Sequence, residues 1–93
     1  MAWYVYIIQS ELDGSFYKGF SEHPTLRLKQ HNQGECTYTS RKFPWRLVYV
    51  EEMPTKTSAL IREKVLKKAT RERIVALINH PKNIVQKFLP EPS

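Results

Sequence analysis

Residues 3–8, Trp-Tyr-Val-Tyr-Ile-Ile, are dense in aromatic and β-branched side chains and read as a strand. Alternation puts Trp3, Val5 and Ile7 on one side and Tyr4, Tyr6 and Ile8 on the other. Asp13-Gly14 is a turn signal, and residues 16–20 form a second short strand, so an antiparallel hairpin is expected. Pro24 suits the first turn of a helix, because its missing N–H has no partner to lose there. That helix is predicted over residues 24–32, with Gly34 as its stop. Residues 35–45 show neither helical nor strand period, and Pro44 closes a loop. Residues 46–52, with Leu-Val-Tyr-Val, read as a third strand.

A long helix is predicted from Pro54-Thr55 to about Ala69, capped by Thr55 or Thr57. Residues 71–79 continue as helix until His80-Pro81 breaks it. Ile84, Val85, Phe88 and Leu89 share a stripe, which predicts a short docking helix over 82–89. The tail, Pro90-Glu91-Pro92-Ser93, is expected to be loose. The order β-β-α-β-α-α-α implies an α+β fold: a small three-stranded sheet with helices packed against it. At 93 residues this is one domain, residues 1–93, with a core of about 3–79.

Hydrophobic content of 41% and charged content of 26% fit a packed domain rather than a disordered chain. No apolar run is long enough to cross a bilayer, and no basic leader precedes the first apolar stretch. Cys36 is the one cysteine, which excludes an internal disulfide and fits a reducing cytoplasm. Net charge is +6, with the excess at Arg41-Lys42, Lys64, Lys67-Lys68, Arg71 and Arg73. Such clusters attract polyphosphate, and equally form solvated helix faces, and charge alone leaves both readings open.

Glu63 shares the buried-facing stripe of the long helix with Ala59, Leu66 and Thr70. A carboxylate there is costly unless an arginine, a lysine or a hard divalent cation pairs with it. Arg27 and His31 are four apart and project from one side of the first helix. A guanidinium matches phosphate oxygens, and an imidazole moves protons near neutrality. Tyr4, Tyr6 and Tyr17 lie on strands, where packing is the ordinary role, and any tyrosine on the face opposite Glu63 is expected to be structural. Trp45, Pro44 and Tyr38-Thr39 form a small aromatic cluster in the middle loop, expected to pack against the sheet, with base stacking as the alternative.

These residues, in this order, resemble the GIY-YIG nuclease superfamily. The similarity is greatest to its small single-domain bacterial branch, which is similar to the N-terminal nuclease domain of the excinuclease repair protein. Tyr4-Val5-Tyr6 occupies the first motif and Tyr17-Lys18-Gly19 the second. Arg27-Leu28, His31-Asn32, Tyr38-Thr39, Pro44-Trp45, Leu47-Val48-Tyr49, Ala59, Arg62-Glu63-Lys64 and Leu66-Lys67-Lys68 follow. The resemblance implies a three-stranded antiparallel sheet flanked by helices, and a metal-dependent endonuclease acting on DNA in repair or recombination. It also leaves room for a catalytically weak nucleic-acid-binding module, or a subunit that a protein partner targets.

By the resemblance, Tyr6 is the general base or water-orienting group, and Tyr17 assists it. Arg27 holds the scissile phosphate, and His31 orients phosphate or shuttles a proton. Glu63 is the sole protein ligand of one Mg²⁺ or Mn²⁺. The cations Arg41, Lys42, Lys67 and Lys68 are the candidate nucleic-acid contacts. Three positions depart from the pattern. Tyr4 stands at the name-giving glycine. Lys18 replaces the middle isoleucine of the second motif and is expected to point away from the site. His23-Pro24 replaces an acidic-leucine pair before the arginine helix.

Overall fold

The computed structural model describes residues 2–34 and 39–89. The expectations for Cys36, Tyr38 and the tail from Pro90 onward fall outside them. The elements are β1 (Trp3–Ser10), β2 (Phe16–Ser21), α1 (Pro24–Asn32), β3 (Trp45–Met53), α2 (Lys56–Lys67), α3 (Arg71–Ile78) and a 3₁₀ turn, Val85–Lys87. The sheet is antiparallel with order β2-β1-β3. No helix among the described residues is long and apolar enough to cross a membrane.

Both faces of β1 are buried, as its unbroken apolar run requires for a central strand. Val5 and Ile7 pack with Tyr49 beneath Ala59, Leu66 and Ile74 of α2 and α3. Tyr6 and Ile8 pack on the opposite face with Trp45, Leu47, Val50 and Val85, and with Leu28 of α1. Full burial of a side chain such as Ile7 or Leu66 contributes about 2 kcal/mol.

A β-bulge decides which β3 residues face which layer. Ile7 pairs with Tyr49 but Ile8 pairs with Leu47, so Val48 is the extra residue. That inversion puts Leu47 and Tyr49 on opposite faces, although they are two apart. The Val48 carbonyl accepts from Asn83 Nδ2 at 2.9 Å.

The helix signals act as expected, with adjustments at the ends. Pro24 opens α1, and Gly34 follows it in a left-handed conformation at φ 77°. Thr55, not Thr57, caps α2 by accepting from the Ser58 N–H at 3.1 Å. The helix stops before Ala69 because Thr70 turns to cap α3, accepting from the Arg73 N–H. Residues 82–89 do not form the expected short helix. Asn83 Oδ1 takes the N–H groups of both Val50 and Val85, and the Ile84 N–H bonds to the Val50 carbonyl. Pinned to β3 this way, the chain makes one 3₁₀ turn that still buries Val85.

Candidate active site

β1 and β2 bring the two motif segments side by side. Tyr6 pairs with Gly19 across the ladder, and the Tyr6 ring lies over the glycine. A Cβ at position 19 would sit 2.6 Å from Tyr6 Oη and 2.7 Å from Cζ, so only glycine leaves the ring its place. Tyr6 is 1% exposed. It lies on the sheet face opposite α2, the side on which tyrosines were expected to be structural.

His31, from the last turn of α1, is fully buried beneath the two tyrosines. Its Nε2 is 3.0 Å from Tyr6 Oη, and its Nδ1 is 2.8 Å from Thr39 Oγ1. The Tyr17 ring meets it edge-on, with centroids 4.9 Å apart. Asn32 fixes the end of α1 to β3, accepting from the Trp45 N–H at 2.5 Å and donating to its carbonyl at 2.9 Å. The Trp45 indole donates to the Thr39 carbonyl, so the residue that receives His31 is itself held.

Burial first, and then the nearby Arg27 charge, push the His31 imidazole down to about 4. At neutral pH the ring is uncharged, with one N–H and one lone pair, between two hydroxyls that can each donate or accept. The line Tyr6–His31–Thr39 can therefore reverse its polarity without breaking. Arg27 sits half-buried on α1, one of its guanidinium nitrogens donating to Gln30 Oε1 at 2.7 Å.

Glu63 arrives from the other side of the sheet. It is 8% exposed, and its carboxylate accepts from Lys67 Nζ at 2.9 Å, one helical turn on. Arg62, the other basic neighbour, pairs with Glu51 at 2.8 Å instead. Lys67 reaches round the β2 edge, where it lines a pocket of about 300 Å³ with Phe16, Tyr17 and Lys18. The carboxylate holds the Lys67 ammonium more firmly protonated, while burial and the Lys67 charge lower Lys18. Glu63 is thus linked through Lys67 to Tyr17, His31 and Tyr6, and the Arg27 charge is near enough to act on His31.

Lys18 faces the α2 layer, away from Tyr6 and His31 but on the side of Glu63. It shares the pocket with Tyr17 and Lys67, and strand alternation explains why, since Lys18 follows Phe16 onto the α2 face. That parity was available from the sequence. Thr39 is among the residues that follow the family pattern, but its pairing with His31 has no counterpart in the periodicity, because it lies in a loop. Of the surface cations, Arg41 and Lys68 are exposed. Lys42 is engaged at the β1–β2 turn, with its Nζ 3.2 Å from Ser15 Oγ and 3.5 Å from Asp13 Oδ2.

Among the described residues no three His, Cys, Asp or Glu side chains gather to hold a metal. The donor set around Glu63 is one sheltered carboxylate that already binds a cationic nitrogen. That fits a hard divalent ion of the sparse kind, completed by water and phosphate oxygens.

Comparison with known proteins identifies the family. The family model described as the GIY-YIG catalytic domain matches residues 2–76. The chain belongs to the GIY-YIG family. UPF0213 proteins are among its relatives. One from Streptococcus sanguinis is 38% identical over 76 residues, covering 81% of this chain and 86% of that protein. One from Staphylococcus aureus is 40% identical over 76 residues, covering 81% and 92%. The solution structure of a UPF0213 protein from Bacillus halodurans is similar with a TM-score of 0.53 and 35% identity, over 87% of this chain and 89% of that one. Membership of GIY-YIG supports a nuclease-type activity on nucleic acid in general terms, and nucleases of this family are generally metal-dependent.

Proposed function

We propose that the chain is a metal-dependent endonuclease that hydrolyses DNA phosphodiester bonds in the cytoplasm, in repair or recombination. The observation that supports the reading is a linked series at the β2 edge: Tyr17 rests against His31 on one sheet face and lines a pocket with Lys67, whose ammonium pairs with Glu63 on the other. When bound, Mg²⁺ or Mn²⁺ at Glu63 supplies Lewis acidity toward the phosphate. Arg27 presents its guanidinium to the scissile phosphate and stabilises the charge that grows on it. Tyr17 is half-exposed at the pocket and orients the attacking water. Tyr6 is too deeply buried to meet that water, so it acts through His31, as the inner end of a neutral hydrogen-bonded relay. His31, uncharged at pH 7, positions and relays rather than binding phosphate. Arg41, Lys42, Lys67 and Lys68 contribute sequence-independent attraction to the backbone.

A second reading, a nucleic-acid-binding module without catalysis or a subunit reliant on a protein partner, draws on the closed Glu63–Lys67 pair. The test is incubation with branched, nicked and linear DNA in Mg²⁺ or Mn²⁺, beside Glu63→Ala and Arg27→Ala. Weak metal-dependent cleavage by the natural chain, absent from Glu63→Ala with the fold intact, is the expected result. Salt-sensitive binding without cleavage in any condition favours the second reading.

A further inference from the structure

We infer that Lys67 is an exchangeable counter-cation: a nucleic-acid phosphate draws its ammonium away from Glu63, and a divalent ion takes the vacated place. Metal and nucleic acid then bind as a coupled pair, each weak alone. This rests on the reading of Glu63 as the metal ligand.

Three observations carry it. The Glu63 carboxylate is sheltered, at 10% side-chain exposure, yet its Lys67 partner is 56% exposed on a flexible four-carbon arm. Such a one-turn pair is weak, and its exposed member is free to swing. The same Lys67 lines the pocket beside Lys18 and Tyr17, so the side chain that holds Glu63 also borders the space a phosphate would enter. Finally, the pocket region sets two ammoniums against one carboxylate. A divalent ion approaching the pocket by itself meets net repulsion, whereas a phosphodiester is attracted. Once phosphate has engaged Lys18 and Lys67, the carboxylate is left without its cation and the repulsion is cancelled. By linkage, whatever nucleic acid does for metal affinity, metal does for nucleic-acid affinity.

The test measures free Mn²⁺ by electron paramagnetic resonance during titration of the full chain, with and without a short DNA duplex. The duplex alone serves as the blank. Natural chain, Lys67→Met, Lys67→Arg and Glu63→Gln are compared, with circular dichroism confirming each fold. The natural chain is expected to bind Mn²⁺ weakly alone and about tenfold more tightly with DNA, within the usual range of coupling between sites. Lys67→Met is expected to bind Mn²⁺ about tenfold more tightly than the natural chain without DNA, and to lose most of the DNA effect. Lys67→Arg, which keeps the cation, should behave like the natural chain. If Glu63→Gln loses Mn²⁺ binding but Lys67→Met matches the natural chain, the exchange is overturned while the metal site stands. Mn²⁺ binding that survives Glu63→Gln removes the metal site and the exchange together.

Discussion

Mild acidification should destabilise this protein through His31. The imidazole has no exposed surface and sits at about 4 in the fold, against 6.5 for an ordinary histidine. Its folded value is depressed, so between those pH values the unfolded chain binds the extra proton. Stability is therefore full above pH 6.5 and falls as pH drops toward 4. At about 1.4 kcal/mol per pH unit, that window is worth roughly 3 kcal/mol. Domains of this size are typically stable by about 5–15 kcal/mol in total, so the loss is large. Asp13 is also depressed, to about 2 by the Ser15 hydroxyl and N–H, but its window lies below 3.8 and does not overlap. Urea unfolding at half-unit steps from pH 7 to pH 4 measures the slope, with His31→Gln as the comparison. The natural chain should lose stability steadily below pH 6.5, and the variant should lose far less. Parallel slopes for the two proteins would refute the buried neutral imidazole, as would an NMR titration of His31 centred near 6.5.

Gly19→Ala drives a methyl group into the Tyr6 ring, and overpacking of that kind costs about 1–3 kcal/mol in a urea midpoint series. The same variant should raise the His31 value seen by NMR, because the displaced phenol lets water reach the ring. Asn83→Ala removes the side chain that serves Val48, Val50, Ile78 and Val85 backbone groups, and should cost on the order of 3 kcal/mol by denaturant unfolding. Arg27→Lys keeps the charge but loses the planar fork, and DNA cleavage should fall by roughly 10²-fold while His31 stays neutral. Arg27→Ala should instead let the His31 value rise, since the Arg27 charge helps to depress it.

Much of the architecture follows from local chemistry that the residues advertise. The aromatic and β-branched run at 3–8, Asp13-Gly14, Pro24 and Gly34 each act through short-range rules, and the elements they mark are present. Ala59, Glu63 and Leu66 are buried together on α2, as their spacing requires. What was not readable depends on contacts between distant segments. The Val48 bulge reverses the face of Tyr49 and is stabilised by Asn83, 35 residues later. The same asparagine keeps residues 82–89 from winding into a helix, which their apolar stripe alone would favour. The depth of Tyr6 against the exposure of Tyr17 arises from how β2 sits at the sheet edge, and single-strand alternation carries no information about edges. The side taken by Lys18, by contrast, follows from strand parity, since Phe16 and Phe20 mark the α2 face.

Manganese broadening of backbone NMR signals in the DNA-bound protein tests most directly whether these side chains meet around one ion. Loss of signal should centre on Glu63 and Lys67 and extend across the sheet edge to Tyr17 and Lys18, and should vanish in Glu63→Gln. Broadening centred elsewhere, or unchanged when Glu63 is neutralised, would contradict the site.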